Sequence, residues 1–318
     1  MSATRVLQRL TMGCVCSRES ITVGDRKLFE RSRLGEGGFS YVDLVEDKYS
    51  HKLYALKRMN CHAKEDERNA LREVEYMNSF GHRNLIVCEA YAVIPVERSR
   101  TGVVSEVLVL MPFYRRGTLQ DEIEAERKRG EHMKEGRLLR LMEGICEGIK
   151  ALHTHYPVPV THRDIKPANV LLADDDTPVL MDFGSMGPAV VEITNMSQAQ
   201  TLQDLAAERC SMPYRAPELF NVNSHCTIDD RIDIWSLGCT LYAMCFHESP
   251  FDRAHQRGDS IALAVLGENI QIPNSSLYST QVTDLALAML TLNASDRPDI
   301  DTVLQRVSAL SRQQQNCI

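Results

Sequence analysis

The sequence predicts an α+β fold in two lobes, a small antiparallel β-sheet lobe with one helix and a larger, mainly helical lobe. Between Leu28 and Met111, short apolar and alternating runs indicate strands, interrupted by one charged, helix-compatible segment. Beyond Gly117 the apolar residues recur with the period of a helix instead. The 318 residues are enough to bury the cores of two such lobes.

The composition is that of an ordinary globular protein. Apolar residues make up 43% and charged residues 25%, and the net charge of −7 predicts no nucleic-acid partner, which would require a basic face. No apolar run reaches the length of about 18 residues that crosses a bilayer. The N-terminus lacks the apolar stretch of a secretory signal. The 10 cysteines show no CxxC pair and no zinc-site spacing, which indicates a reduced protein facing the cytosol.

Residues 1–24 lack a sustained apolar period and are predicted to form a flexible tail. The tail contains the run Met-Gly-Cys-Val-Cys-Ser, in which the glycine is Gly13 and the cysteines are Cys14 and Cys16. If translation begins at Met12, Gly13 fits the pattern for myristoylation and both cysteines suit palmitoylation. One acyl chain binds membranes with an association constant of only about 10⁴ M⁻¹, so stable anchoring needs a second. The run therefore predicts an anchor to the cytosolic face of a membrane.

The same run has an alternative interpretation, which depends on where translation starts. If Met1 is the working start, Gly13 is internal and cannot be acylated, and the match to the pattern arises by chance. The protein is then expected to be cytoplasmic.

A glycine-rich turn lies between two strand-like runs and is a candidate phosphate-binding loop. Glycines let the backbone bend tightly and bring its N–H groups close to phosphate oxygens. Strand residues follow the turn, which argues against a dinucleotide-binding fold, where a helix would begin. A purely structural hairpin turn is the alternative. The candidate residues are Leu34, Gly35, Glu36, Gly37, Gly38, Phe39, Ser40, Tyr41 and Val42.

The richest cluster of chemical groups lies at residues 162–169, which combine an acid, two bases and an amide just before an apolar run at 170–172. A second acid, Asp182, follows another apolar run at 179–181. Two short strands that place a carboxylate, an amide and a second carboxylate near one another indicate a hairpin that holds a metal ion and a reacting hydroxyl. For either motif alone, a polar turn between core strands is the alternative.

Past Gly117, amphipathic and apolar helices are predicted from the helical period. The predicted helical ranges are 137–155, 232–246, 282–292 and 302–310, with an irregular or partly helical segment at 182–218. Arg297, in a turn between the last two helices, is predicted to form a buried bidentate pair with Glu218. The expected domain ranges are 25–111 for the β-sheet lobe, 112–310 for the helical lobe and 311–318 for a C-terminal tail.

These motifs follow one another in a fixed order over residues 28–310 and together resemble the eukaryotic protein kinase catalytic domain. The order is a glycine loop, a strand lysine, a helix glutamate, His-Arg-Asp-x-Lys-x-x-Asn, Asp-Phe-Gly, Ala-Pro-Glu, Asp-x-Trp-Ser-x-Gly and a late arginine. A closer resemblance is to the Numb-associated kinase family. It is carried by residues 14–18, 35–45, 201–204 and 214–220.

The resemblance implies a bilobal protein kinase fold and roles for the residues of the polar cluster. Asp164 would orient the acceptor hydroxyl and take up its proton, and Lys166 would neutralise charge on the phosphoryl group in transfer. Asn169 and Asp182 would hold Mg²⁺, a hard cation that prefers oxygen ligands. The phosphoryl donor would be ATP.

The resemblance also assigns the nucleotide side of the site. Lys57, on a strand, would fix the α- and β-phosphates of ATP, held by a glutamate of the following helix. Glu73 is the preferred partner and Glu75 the alternative. The backbone at Pro112 and Tyr114, in the connection to the second lobe, would bind the edge of the adenine.

Two features bear on the acceptor and on regulation. The arrangement Asp-x-Lys-x-x-Asn around Lys166 resembles serine/threonine kinases. Arg163, beside the catalytic aspartate, is a candidate ligand for a phosphate on the activation segment. The candidate sites of that phosphate are Thr194, Ser197, Thr201, Ser211 and Tyr214, with Thr201 preferred. For each, an unmodified and solvated hydroxyl is the alternative.

The leading hypothesis is an active protein serine/threonine kinase that phosphorylates serine and threonine residues of protein substrates and of itself. The resemblance implies a Golgi or perinuclear membrane and a role in secretory trafficking. The first alternative is a pseudokinase that binds ATP or a partner without transfer, which the presence of Lys57, Asp164 and Asp182 argues against. The second is a trafficking scaffold in which catalysis is not essential.

Overall fold

The computed structural model describes residues 20–37, 40–96, 101–267, 270–273 and 276–316. The chain divides into two compact units, Met1–Gly117 and Thr118–Ile318. The predicted boundary, at residues 111 and 112, lies a few residues earlier. The difference arises because the last strand of the first unit includes Pro112, and a turn in which Gly117 N–H donates to the Tyr114 carbonyl (3.1 Å) belongs to the same unit.

The first unit is an antiparallel sheet with a helix. Its elements are β1 (Ile21–Val23), β2 (Arg26–Glu36), β3 (Ser40–Asp47), β4 (Leu53–Cys61), α1 (Lys64–Ser79), β5 (Ala90–Pro95) and β6 (Ser105–Pro112). The strand order is β1-β2-β3-β4-β6-β5, and every neighbouring pair is antiparallel. The core includes Leu56, Leu108 and Leu110, all fully buried. This architecture confirms the predicted small β-sheet lobe.

Helix α1 forms where the sequence is charged because only one of its faces is buried. Ala70, Glu73, Val74 and Met77 recur at helical spacing and make up that face. Acidic residues occupy the first turn, where the positive end of the helix dipole favours them.

The second unit is mainly helical, as predicted. Its helices are α2 (Leu119–Arg129), α3 (Glu135–His153), α4 (Met196–Arg209), α5 (Arg231–Phe246), α6 (Asp252–Gln256), α7 (Ile261–Leu266), α8 (Thr280–Met289) and α9 (Ile300–Asn316). Its strands form three antiparallel pairs, β7 (Val160–Thr161) with β10 (Gly187–Pro188), β8 (Val170–Leu172) with β9 (Pro178–Leu180), and β11 (Val191–Ile193) with β12 (Cys226–Ile228). Helix α5 is almost entirely buried, because it is apolar on all sides.

Two other predicted boundaries differ from the structure. Strand β1 lies inside the segment predicted as a tail, and its Ile21 pairs with Leu28 of β2 across a tight turn. The prediction missed it because a strand of three residues is too short to show an alternating pattern. Helix α9 continues to Asn316 through most of the predicted C-terminal tail. The acylation candidates Gly13, Cys14 and Cys16 lie outside the described residues.

None of the helices in the described part of the chain combines the length and the apolar character needed to cross a membrane. The described cysteines are all free thiols, and five of the seven are buried. Among them, burial raises the pKa of Cys210 to about 12, so this thiol is protonated at neutral pH and a poor nucleophile.

Candidate active site

The glycine-rich segment forms the end of the β2–β3 hairpin, as predicted. The last paired residues are Glu36 and Tyr41, and Gly37 N–H donates to the Ser40 carbonyl at 2.7 Å. Gly38 and Phe39 fall in a gap of the described residues. The described residues therefore place the predicted phosphate-binding segment at the end of two paired strands.

One face of the sheet beside this hairpin carries a polar cluster that the sequence analysis missed. The Arg33 guanidinium lies 3.8 Å from the centre of the Tyr41 ring, and Arg33 Nε donates to Asp43 Oδ1 at 2.6 Å. Arg58 binds Glu106 through two hydrogen bonds of 2.8 and 3.0 Å, and Tyr41 Oη donates to Glu106 Oε1 at 3.2 Å. The cluster links β2, β3, β4 and β6 and fixes the register of the glycine hairpin.

Lys57 lies on β4 in register with Val42 of the hairpin. Its ammonium group donates to Glu73 Oε1 of α1 at 2.7 Å, and the two side chains are only 15% and 6% exposed. Glu75, the alternative partner, is exposed. The buried pair holds a positive charge at a fixed position next to the glycine hairpin.

The residues proposed to bind adenine lie at the end of the first unit. Pro112 is the last residue of β6 and is paired with Tyr54, and Tyr114 follows in a segment without regular structure. The ladder of the sheet therefore ends at Pro112, and the backbone of Tyr114 lies beyond it.

In the second unit, Asp164 is the centre of a compact hydrogen-bonding cluster. The carboxylate is 6% exposed and accepts three hydrogen bonds. Ser211 N–H donates to Oδ1 at 2.8 Å, and Lys166 Nζ and Asn169 Nδ2 donate to Oδ2 at 2.7 and 2.9 Å. Lys166 Nζ also donates to Ser211 Oγ at 2.5 Å. These contacts fix the orientation of the carboxylate before any substrate binds.

Ser211, one of the predicted candidate sites for a phosphate, departs from the alternative of a solvated hydroxyl. Its hydroxyl and its N–H both belong to the Asp164 cluster. The preferred candidate, Thr201, lies on the exposed face of α4, and its hydroxyl donates to the Ser197 carbonyl at 2.8 Å. The Arg163 side chain donates to Thr161 and, at 3.0 Å, to the Pro188 carbonyl.

Asp233, at the start of α5, binds the backbone of the segment that precedes Asp164. It is fully buried and accepts hydrogen bonds from the N–H groups of His162 and Arg163, both at 2.8 Å, and contacts His153 Nε2 at 2.9 Å. Burial alone would raise the pKa of Asp233, but hydrogen bonding and Coulombic attraction from His153 outweigh it and lower the pKa below its ordinary value. The carboxylate is therefore ionised at neutral pH and holds the loop at Arg163, whose φ of 69° is unfavourable for a non-glycine residue.

The β8–β9 hairpin brings the second acid beside the amide. Met181 N–H donates to the Asn169 carbonyl at 2.9 Å, which places Asp182 next to Asn169 along the paired strands. Asp182 has a φ of 67°, and the following Phe183 is buried with its ring edge-on to His162 at 5.9 Å. The predicted hairpin is therefore present, since β8 pairs with β9 and the two polar segments lie at the ends of its strands.

The oxygen donors at this hairpin fit a magnesium ion. The amide nitrogen of Asn169 is used twice, by the carbonyl and the carboxylate of Asp164, which leaves Oδ1 of Asn169 as the acceptor end. Asp182 adds a carboxylate. Mg²⁺ is commonly held by one or two such oxygen ligands together with substrate phosphates and water.

The predicted pair between Arg297 and Glu218 is present. Arg297 Nη1 and Nη2 donate to the two carboxylate oxygens at 2.9 and 3.1 Å. Arg297 is almost fully buried, and its guanidinium lies 5.3 Å from the centre of the Trp235 ring. The pair anchors the end of the segment that carries Ser211.

Comparison with known proteins gives a consistent result. Residues 29–307 match the family described as protein kinase domain. Serine/threonine-protein kinase 16 of Homo sapiens is 46% identical over 297 residues, which cover 93% of this chain and 94% of that protein. The Rattus norvegicus protein of the same name is 44% identical over the same shares. Serine/threonine-protein kinase ppk13 of Schizosaccharomyces pombe is 33% identical over 306 residues, which cover 86% of this chain and 88% of that protein.

Proposed function

Since the chain belongs to the protein kinase family and is a serine/threonine protein kinase, we propose that it transfers the γ-phosphoryl group of ATP to proteins, itself included, while anchored to the cytosolic face of a membrane. The observation that carries the catalytic part is the cluster in which Lys166, Asn169 and Ser211 all bind the Asp164 carboxylate.

In this proposal the second unit acts on the acceptor and the transferred group. Asp164 binds the serine or threonine hydroxyl and accepts its proton, while the Lys166 ammonium neutralises charge on the phosphoryl group. Asn169 and Asp182 hold Mg²⁺, which when bound neutralises phosphate charge. Because the transition state of phosphoryl transfer is loose, positioning and charge neutralisation supply most of the rate acceleration. A carboxylate whose orientation is already fixed by three hydrogen bonds meets that requirement.

The first unit would bind the nucleotide. Lys57, held by Glu73, would contact the α- and β-phosphates, and the backbone N–H groups of the glycine hairpin would cover them. The backbone at Pro112 and Tyr114 would hydrogen-bond to the adenine edge. The residues of the hairpin in this role are Leu34, Gly35, Glu36, Gly37, Gly38, Phe39, Ser40, Tyr41 and Val42.

The direct test is incubation of the purified protein with γ-³²P-labelled ATP, Mg²⁺ and a general protein acceptor. We expect label in the acceptor and in the protein itself, recovered as phosphoserine and phosphothreonine after acid hydrolysis. A pseudokinase would instead show stabilisation by ATP in a thermal melt with no label transferred. Label recovered mainly as phosphotyrosine would contradict the proposed acceptor class.

Two finer proposals rest on sequence alone. Membership of the Numb-associated kinase family is supported by residues 35–45, 201–204 and 214–220. The membrane anchor, at a Golgi or perinuclear membrane with a role in secretory trafficking, is supported by Gly13, Cys14 and Cys16 together with that resemblance.

The anchor predicts that acylation decides where the protein is found. In cells expressing the chain from Met12, we expect most of the protein in the membrane fraction and beside a Golgi marker. Replacing Cys14 and Cys16 by serine should release most of it, because one acyl chain gives an association constant of only about 10⁴ M⁻¹. Cys88→Ser, at a position in the folded domain, is the matched control. Retention of the doubly substituted protein on membranes would contradict the proposal, and the intact mass would report the acyl groups directly.

A further inference from the structure

Arg215 is a buried cation that the catalytic description does not use. The side chain is 6% exposed, and within the described ranges no carboxylate lies at ion-pair distance from it. Its Nη2 donates to the carbonyls of Cys210 at 3.0 Å and Ala207 at 3.4 Å, and its guanidinium lies 5.0 Å from the centre of the Phe220 ring. Its Nε is buried with no hydrogen-bond partner in the described structure. Burying a guanidinium that has no carboxylate partner costs solvation free energy, which points to a use beyond stability.

The Cys210 carbonyl that Arg215 binds is one end of a peptide group whose other end binds the Asp164 carboxylate. The N–H of the same peptide group belongs to Ser211 and donates to Asp164 Oδ1 at 2.8 Å. Because a trans peptide is planar with its C=O and N–H pointing in opposite directions, Arg215 and Asp164 lie at opposite ends of one dipole. The cation polarises the carbonyl, which makes the N–H a stronger donor to the carboxylate, by about 10–30% per linked bond.

The same peptide group also sets the position of the Ser211 side chain. Lys166 Nζ donates to Ser211 Oγ at 2.5 Å and to Asp164 Oδ2 at 2.7 Å. A rotation of the peptide group between Cys210 and Ser211 would therefore disturb both Asp164 and Lys166, the two side chains to which the proposed function assigns catalytic roles. Burial lowers the pKa of Arg215 below its ordinary value, and Coulombic attraction to Asp164 opposes that shift, which agrees with an electrostatic link between the two.

We propose that Arg215 is a positioning residue for phosphoryl transfer, which acts through the peptide group between Cys210 and Ser211 to hold Asp164 and Lys166 in their reactive arrangement. The inference rests on the proposed kinase activity and adds a residue to it. A purely structural role, in which Arg215 only binds the last carbonyls of α4, is the competing explanation.

The test compares Arg215→Met and Arg215→Lys with Arg140→Met, which replaces an exposed arginine of α3. We expect Arg215→Met to lower kcat about 10- to 100-fold, because displacement of catalytic groups by about 1 Å costs on that order. The KM for ATP should change by less than about twofold, since its phosphate contacts are elsewhere. Arg215→Lys keeps the charge and should recover part of the rate. A normal kcat in Arg215→Met would overturn the proposal.

A double-mutant cycle with Asp164→Asn distinguishes a positioning role of Arg215 from a purely structural role. If Arg215 acts mainly through Asp164, adding Arg215→Met to Asp164→Asn should lower the residual rate by much less than Arg215→Met lowers the rate of the unaltered protein, with only the contribution through Lys166 remaining. A structural role predicts the full loss again, together with a lower melting temperature, and that result would refute the proposal. Should Arg215→Met not fold, Arg215→Lys carries the cycle. If the unaltered protein transfers no phosphate, the proposed function fails and not this inference alone.

Discussion

Replacement of Asp164 by asparagine is expected to lower kcat about 10²- to 10⁴-fold, the range that a positioned proton acceptor contributes. Asparagine has nearly the same shape, but it is neutral and offers one acceptor oxygen where the carboxylate offers two. In the unaltered protein, the Ser211 N–H binds one carboxylate oxygen, and the Lys166 and Asn169 side chains bind the other. In Asp164→Asn, one of these two oxygens is replaced by an amide nitrogen, which cannot accept these hydrogen bonds. Initial rates at saturating ATP would measure the effect.

Two controls make the Asp164 result specific. Asp174→Asn alters an exposed carboxylate in the β8–β9 turn and should leave the rate within about twofold of normal, as surface substitutions usually do. Stabilisation by ATP and Mg²⁺ in a thermal melt should persist in Asp164→Asn, since Lys57, Asn169 and Asp182 are unchanged. Label transfer at the normal rate by Asp164→Asn would exclude the proposed role of this residue.

Replacement of Arg297 by alanine is expected to destabilise the second unit by about 3–5 kcal/mol, the cost of breaking a buried ion pair by removing one partner. Arg297 makes five hydrogen bonds, two to Glu218 and three to backbone carbonyls, and all would be lost. For a unit of this size the loss corresponds to a decrease in melting temperature of roughly 6–20 °C. Calorimetry of the nucleotide-free protein would measure it.

Two further variants would show why the loss of Arg297 destabilises the second unit. Arg306→Ala removes an exposed arginine of α9 and should change the free energy of unfolding by less than about 0.5 kcal/mol. Glu218→Gln keeps a hydrogen-bonding side chain opposite the guanidinium and should show how much of the loss comes from the charge. A decrease of less than about 1 kcal/mol in Arg297→Ala would mean that the pair is not needed for stability.

The features predicted correctly from sequence are those coded by short motifs. Two short apolar runs on either side of a polar turn predict the β8–β9 hairpin. Their pairing is predictable because only a few residues separate the two strands. Glu73 was preferred to Glu75 as the partner of Lys57, and the structure pairs Lys57 with Glu73 and leaves Glu75 exposed. In each case a local pattern specifies the side of the strand or helix that a residue occupies.

The features missed depend on contacts between distant segments. Tyr41 and Glu106 are 65 residues apart, and their contact follows from the order of strands β3, β4 and β6, which periodicity does not determine. Ser211 reaches Lys166 from 45 residues away, because the intervening segment folds into helix α4 and returns. Asp233 was recognised only as part of a motif. A buried acid in an otherwise apolar helix was the signal that could have identified its supporting role.

The hydrogen bonds already present at Asp164 would limit how the proposed acceptor hydroxyl binds there. An ionised carboxylate has about four lone-pair positions, two on each oxygen. Oδ2 receives Lys166 and Asn169, so both of its positions are filled, whereas within the described residues Oδ1 receives only the Ser211 N–H. One lone pair is left, next to the Ser211 peptide group. In the proposed mechanism, an incoming hydroxyl would therefore donate to Oδ1 on the side that the Ser211 N–H leaves open.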